Sequence, residues 1–582
     1  MMITKSRVLE SRSIHSKFLI LILLTSLITV LGYIRSLIYL NTNSFIFHTA
    51  YLISIVTLSF LLIQFNSVPF RLKFFCVLIW IWTLMMTIPL RLPEGIISNL
   101  PDMIYETQII KNIIVSGRVS FNAPTTYASN YAFNPMLELL IAEVSMISGM
   151  GYEIILKYLG PFLGPLSIVF LFGFYKSFLS ERDAVVSSFL AGSCFHFLGF
   201  AAHTVHLSLA LTFFTLLLNG LTKNTMKWII ITTLSIFMIV STHHFSSIVG
   251  TFYFIVISLT MLAFHFLLKE RFIQVEKTIF RIAVSFLVMC ISWLLYVTFS
   301  LFGELIKLSK TIWLILISTE QEISFPLTEK GVIYTPFHIV GDVSVLVYGL
   351  LAIIGFLLAL TSKTLRNYKS ILPFAVSGAF ILITAILIYS KYSPMKDLLP
   401  RAFIYFYFST APLSLLAIQK VYSSFSQSTR KYFIVLTIIL VCISAKYYGY
   451  ASISYHYDNA SPLDTEDVRF PLHEWKFAGL FVRDKVKQVA GIWGDKIAFN
   501  YIGGYGEVDV KILPKGLNIT LIDWMTIYPS FNDLIILRKS MIKVPYSSYH
   551  VSEKEFYYIL ENNNLFYMSG EVIMLKHLKI FH

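Results

Sequence analysis

The chain has 582 residues, of which 56% are hydrophobic and 13% charged, with a mean hydropathy of +0.72 and a net charge of +14. Soluble domains carry about 25% charged residues, so a chain this long at half that level cannot cover its surface in water and has to sit in a bilayer. The same numbers exclude a disordered chain and a nucleic-acid module, and four cysteines in apolar runs without a CxxC pair (Cys76, Cys194, Cys290, Cys442) exclude a disulfide scaffold.

Apolar stretches long enough to cross a hydrocarbon core fall at 18–40, 45–64, 74–90, 158–176, 184–200, 207–221, 226–242, 246–268, 279–303, 336–360, 371–390, 401–420 and 432–450. They predict thirteen transmembrane helices. Lys5, Arg7, Arg12 and Lys17 precede the first stretch and no small-residue cleavage site follows it, which reads as an uncleaved anchor with a cytoplasmic N-terminus. Alternating sides from there gives the inner loops 20 basic against 5 acidic residues and the outer segments of 1–450 equal numbers, as the positive-inside rule requires. The alternation holds only if two weakly apolar segments, Pro135 to Gly149 and Lys307 to Ser318, lie at the outer interface as helices without crossing.

Between the third and fourth stretches, the outer loop 91–157 carries six acidic residues: Glu94, Asp102, Glu106, Glu138, Glu143 and Glu153. Composition changes sharply after 450. Residues 451–582 hold 14 Lys/Arg against 15 Asp/Glu, so the positive surplus belongs to the part before them. An amphipathic run, His473 to Gln488, is followed by strand-like runs at Ile492 to Ile502, Asp533 to Leu537 and Val572 to Leu575, with turn signals at Gly503-Gly504 and Asn562 to Asn564. The tail is therefore expected to form an extracytoplasmic α/β domain, and the sequons at Asn459 and Asn518 fit that side.

The residues with the most chemistry lie in the first large outer loop: Pro101-Asp102-Met103-Ile104-Tyr105-Glu106, then Ile113 to Gly117. On a helix the spacing puts Asp102 and Glu106 on one face, where a carboxylate beside the bilayer could take a proton from an acceptor. Asp102 could equally be an ordinary helix cap after Pro101. Four histidines, His203, His206, His243 and His244, fall at outer ends of spans, and Ser241 to Ser246 is a polar knot in an apolar context. Such residues are costly in a membrane; they could hold a metal or a phosphate, or simply bond to helix-end carbonyls.

The Asp-x-x-Tyr motif with its following glycine, and the interfacial helix ending Ile147-Ser148-Gly149, resemble the membrane-embedded glycosyltransferases of the GT-C superfamily, and within it archaeal protein O-mannosyltransferase-like enzymes. The turn from Lys176 to Asp183, Pro400-Arg401-Ala402-Phe403 leading to Ala411-Pro412-Leu413, and the tail segments His473-Glu474-Trp475 and Leu565 to Val572 are similar to the corresponding parts of that group. The resemblance implies transfer of a sugar from a polyprenyl (dolichyl) phosphate carrier to an extracytoplasmic acceptor, whether protein, lipid or glycan. Asp102 then carries over as general base with Glu106 as second carboxylate, and Arg401 as the clamp on the donor phosphate, helped by Lys396 and by the His243-His244 corner. Lys396 and Arg401 could instead snorkel to the interface.

Two departures bear on this. The chain has Asp102-Met103 where O-mannosyltransferases show an Asp-Glu pair, and Ala201 to His206 lacks the acidic residue that metal-using relatives place there, so metal and cofactor stay open. The Trp-Trp-Asp-Tyr-Gly motif of oligosaccharyltransferases is absent, which disfavours en bloc transfer. The expected fold is a polytopic all-α membrane domain of about 13 transmembrane helices, 1–450, in the plasma membrane, with a C-terminal extracytoplasmic α/β domain, 451–582. The competing classes are a transporter or flippase of lipid-linked sugars, which would show inverted repeats and interrupted helices, and a polymerase of surface sugars. No nucleic acid is expected as a partner.

Overall fold

The computed structural model describes residues 44–64, 68–91, 101–120, 132–223, 225–268, 273–297, 336–362, 365–391, 398–455 and 472–486, and beyond these 492–494, 502, 505, 507–512, 534–538, 564–569 and 572–576. The chain divides into two compact units: Met1–Arg91 with Tyr158–Leu327 and Tyr334–Ala451, and Leu92–Lys157 with Thr328–Ile333 and Ser452–His582. The outer loop 91–157, assigned above to the membrane domain, thus groups with the tail.

In the first unit a helix lies over each expected span from 45–64 onward; the stretch 18–40 lies outside the described residues. These are α1 (Ser44–Ile63) and α2 (Phe70–Arg91). The second unit's α3 (Pro101–Ser116), α4 (Met136–Ser148) and the short α5 (Tyr152–Tyr158) intervene in sequence. The first unit continues with α6 (Gly160–Lys176), α7 (Glu181–Gly192), α8 (Phe195–Ala202), α9 (His206–Gly220), α10 (Met226–Thr242), α11 (His244–Leu268) and α12 (Ile273–Tyr296). After residues outside the description come α13 (Pro336–Thr361), α14 (Arg366–Lys369), α15 (Leu372–Lys391), α16 (Leu398–Val421) and α17 (Gln427–Tyr455). Among the described residues four helices are long and apolar enough to cross a membrane, or up to six if each bent pair is one span.

One expected span is broken. The stretch 184–200 is split into α7 and α8, which meet at 73°. Gly192 and Ser193 explain the break: the Ser193 hydroxyl donates to the Phe189 carbonyl, and a small polar pair of this kind bends an apolar helix. The start of α7 is capped by Ser180, whose hydroxyl oxygen accepts from the Asp183 amide at 3.2 Å, and Lys176 pairs with Glu181 across the turn.

The centre of this unit is α16. It packs against α13 and α15, and 83% of its apolar window is buried, more than in any other candidate span among the described residues. Pro412 has no amide hydrogen, so the Phe408 carbonyl one turn earlier loses its helical partner. The Tyr175 hydroxyl of α6 supplies the missing donor at 2.6 Å. Gly355 of α13 lets the two backbones meet here, because a Cβ at that position would stand 1.9 Å from the Leu413 carbonyl oxygen. Tyr253 of α11 bonds Ser409 at 2.7 Å, fixing the same turn from a third side.

In the second unit α3 starts on Pro101 and ends at Gly117, whose φ of +69° is the left-handed conformation that stops a helix. The segment expected as an interfacial helix is α4; its partner expectation, 307–318, lies outside the described residues. Helices α3 and α4 pack together. In the tail, α18 (Leu472–Lys485) matches the amphipathic run and buries Trp475, Ala478 and Val482 at helical spacing. A five-stranded sheet follows, from β1 (Ile492–Gly494), β2 (Val510–Ile512), β3 (Leu534–Arg538), β4 (Asn564–Ser569) and β5 (Val572–Lys576), in the order β2-β1-β3-β5-β4. The β1 strand runs parallel to β2 and β3, whereas β5 is antiparallel to β3 and β4. Strands β2 and β4 were not read from the sequence. The sequons at Asn459 and Asn518 lie outside the described residues.

Ion pairs tie the loop helices to the tail inside this unit. Lys111 of α3 pairs with Glu507 at 2.7 Å, Arg483 of α18 approaches the same carboxylate at 3.9 Å, and Lys476 stands 3.9 Å from Glu153 of α5. Glu507 carries a positive φ of 53°. Burial beside the Glu153 carboxylate pushes the Tyr152 phenol above its ordinary range, and Glu507 acts in the same direction.

Candidate functional site

Two groups of residues, one in each unit, carry the chemistry. In the loop–tail unit, Asp102 is the second residue of α3, inside the first turn, where the helix dipole favours a negative charge. Its side chain lies outside the described residues. Glu106 follows one turn later and is fully buried, between Met103 and Ile110 on the packed face. A carboxylate oxygen of Glu106 lies within 4.8 Å of one from Glu138 of α4, also fully buried. Two buried carboxylates this close repel one another with little screening by water, and a proton, a cation or another partner of either one offsets that repulsion. Their hard oxygen donors suit a divalent ion such as Mg²⁺ or Ca²⁺.

The sequence reading paired Glu106 with Asp102 and missed Glu138. A signal was present: both glutamates interrupt apolar stripes, with Leu137, Ile141 and Ala142 around one and Met103, Ile109, Ile110 and Ile113 around the other. A carboxylate on the buried face of an amphipathic helix is expensive unless it serves a partner.

In the membrane unit, Arg401 sits in the first turn of α16. Its guanidinium lies 5.8 Å from the Phe200 ring centre and 5.5 Å from that of Phe245. The Nε is buried, and among the described residues it has no hydrogen-bond partner and no carboxylate pairs with it. Phe245 belongs to the Ser241 to Ser246 knot, so the structure brings Arg401 and the His243-His244 corner together. The two histidines differ: His243 is 9% exposed, whereas His244 opens to the surface. Lys396 lies outside the described residues.

His243 joins two helices. Its amide donates to the Ile239 carbonyl at 3.1 Å, closing α10, and its Nδ1 accepts from the Ser246 amide at 3.2 Å, capping the first turn of α11. Ser246 in turn lies 2.7 Å from Nδ1 through its hydroxyl and accepts from the Tyr405 hydroxyl at 3.2 Å. Ser246 belongs to the polar knot read from the sequence, whereas Tyr405 was not singled out, because a tyrosine in an apolar span looks like an ordinary core residue. Next to this group His196 stacks on Phe403 at 4.9 Å, and the Gly160 amide donates to Thr204 at 2.7 Å. His203 sits in the α8–α9 corner, at the C-terminal end of α8.

No protein-family model matches the chain, and no curated protein matches it. Solved structures do. An oligosaccharyltransferase from Archaeoglobus fulgidus tethered to an acceptor peptide aligns at 12% identity and a TM-score of 0.45, over 87% of this chain and 72% of that one. The same organism's AglB with an inhibitory peptide and a dolichol-phosphate aligns at 13% and 0.47, over 85% and 69%. ArnT from Cupriavidus metallidurans bound to undecaprenyl phosphate aligns at 10% and 0.44, over 87% and 97%.

Proposed function

We propose that the protein is a glycosyltransferase that moves a sugar from a polyprenyl- or dolichyl-phosphate carrier to an acceptor outside the membrane. The observation that carries this is the state of Arg401. A snorkelling arginine keeps its head in water. This one buries its Nε, lays its guanidinium across two aromatic rings beside His243, and has no carboxylate partner among the described residues. A half-buried guanidinium with no carboxylate partner among the described residues is a place for an anion, and its planar fork matches phosphate oxygens. Lys396 is assigned to the same phosphate.

In the proposed reaction the acceptor's oxygen attacks the anomeric carbon as the bond from that carbon to the carrier phosphate breaks. The electron pair leaves with the phosphate, where Arg401 offsets the charge that develops. The acceptor's proton passes to Asp102. Glu106, buried beside Glu138, does not receive the proton; it sets the field at the start of α3, with a proton or a divalent ion between the two carboxylates. Thirteen crossings with a cytoplasmic N-terminus and an extracytoplasmic tail complete the proposal, supported by helices over the apolar stretches and by the charge bias of the loops.

The test is purified full-length protein incubated with radiolabelled polyprenyl-phosphate sugars, scoring sugar transfer and release of the carrier phosphate. Wild-type protein is expected to release carrier phosphate and Asp102→Asn is not. Absence of release from every donor tried, with the lipid-linked sugar recovered intact on the opposite face of vesicles, would make the protein a flippase.

A further inference from the structure

The hydrogen bonds around His243 determine where its proton sits. A backbone amide can only donate, so the Ser246 N–H at 3.2 Å requires Nδ1 to be an acceptor. A neutral imidazole with a bare Nδ1 carries its hydrogen on Nε2. The Ser246 hydroxyl, 2.7 Å from the same Nδ1, must then also donate to it, which leaves the serine oxygen to accept from Tyr405. A chain of fixed polarity results: Tyr405 O–H to Ser246 Oγ, Ser246 O–H to His243 Nδ1, and Nε2–H at the far end. No described residue accepts from Nε2.

Tyr405 lies four residues after Arg401 on α16, so one helix face holds both the guanidinium and the hydroxyl that starts the chain. Arg401 and His243 are within electrostatic range of one another, and the Phe245 ring under the guanidinium is two residues from His243. Resting on the donor-phosphate assignment of Arg401, we propose that His243 is a permanently neutral donor that gives its Nε2–H to the carrier phosphate, with Ser246 and Tyr405 as positioning residues that fix its tautomer. The division of labour has a chemical reason. Arg401 supplies the charge, while a neutral N–H adds a directed hydrogen bond without a second full charge that would hold the product phosphate in place. Protonating His243 would set an N–H on Nδ1 against the Ser246 amide, so the cap excludes the imidazolium.

The cap and the donor can be separated by substitution. Asparagine and serine are good N-caps and keep the bond from the Ser246 amide, yet neither extends a donor to the Nε2 position. The experiment measures binding of farnesyl phosphate, with farnesol as the uncharged control, to full-length protein in detergent, alongside thermal unfolding. His243→Asn and His243→Ser are expected to unfold near the wild-type temperature and to bind farnesyl phosphate about 10- to 100-fold more weakly, the range for losing a hydrogen bond to a charged group. Farnesol binding should be unchanged. Ser246→Ala and Tyr405→Phe should weaken farnesyl phosphate by a smaller factor, with the same indifference to farnesol.

Phosphate affinity retained in both His243 variants while Arg401→Ala loses it would overturn the inference and leave the glycosyltransferase reading standing. Equal binding of farnesyl phosphate and farnesol by the wild type, unaffected by Arg401→Ala, would remove the reading beneath it. Nitrogen-15 spectra of histidine-labelled protein give a second check: a hydrogen on His243 Nδ1 also overturns the inference.

Discussion

The bond between Tyr175 and the carbonyl released by Pro412 permits a quantitative test of how α16 is held. In Tyr175→Phe the 2.6 Å bond disappears and the Phe408 carbonyl stays buried with neither its helical amide nor a hydroxyl. A net hydrogen bond is worth about 0.5–1.5 kcal/mol, and an unsatisfied buried carbonyl adds desolvation, so the expected cost is about 1–3 kcal/mol. Interhelical bonds in membranes average nearer 0.6 kcal/mol because the unfolded reference also finds partners, which favours the lower end. In Pro412→Ala the alanine amide can take the Phe408 carbonyl itself, and Tyr175→Phe in that background should cost about 0.5 kcal/mol or less. The two substitutions are therefore non-additive, with a coupling of about 1 kcal/mol measurable by denaturant unfolding of purified protein in detergent. Equal costs of Tyr175→Phe in both backgrounds would refute the compensation. Arg401 lies eleven residues before Pro412 on the same helix, about 16 Å away, so the variant should also weaken phosphate binding modestly if the anchored turn sets the guanidinium's position.

Asp102→Asn should leave the protein folded and reduce transfer by about 10²- to 10⁴-fold, with donor binding retained; near wild-type turnover would remove Asp102 from the role of base. Arg401→Ala should raise the KM for the lipid donor and not that for the acceptor, and Arg401→Lys, with the charge kept and the fork lost, should recover only part, whereas a snorkelling anchor would accept lysine fully. If a divalent ion lies between Glu106 and Glu138, EDTA should lower the unfolding temperature of the wild type and not that of Glu138→Gln; if a proton does, EDTA should change neither. An impermeant thiol reagent on a cysteine-free background should label positions 224 and 460 from opposite sides of the membrane, and labelling of both from one side would refute the span count.

The extent to which the fold could be read in advance follows from what sets each element. Apolar stretches are a property of composition along a window, so helices lie over the expected spans with ends shifted by a few residues, as with 401–420 against the observed Leu398–Val421. The break inside 184–200 was not read, because Gly192 and Ser193 are unremarkable letters in an apolar run until the serine hydroxyl takes the Phe189 carbonyl. Strand β2 is three residues long, too short for alternation to show, and β4 starts on Asn564, which looks like a turn residue.

The site was legible by residue type and not by partnership. Arg401, His243 and Glu106 stand out because charged or titratable side chains in apolar helices are costly, and that cost is visible in one dimension. What each does depends on residues that carry no such cost. Ser246 is three positions from His243 yet acquires meaning only because α11 begins at His244 and turns the serine amide back onto the imidazole. Tyr405 is a hundred and more residues away and reaches the same serine because α16 is pinned by Tyr175 and Tyr253 at its middle. A proline that deletes one amide hydrogen, and a tyrosine that replaces it, thus fix the height at which Arg401 and Tyr405 meet the histidine corner. The chemistry proposed for that corner is a consequence of backbone hydrogen-bond accounting at Pro412, about two to three turns along the same helix.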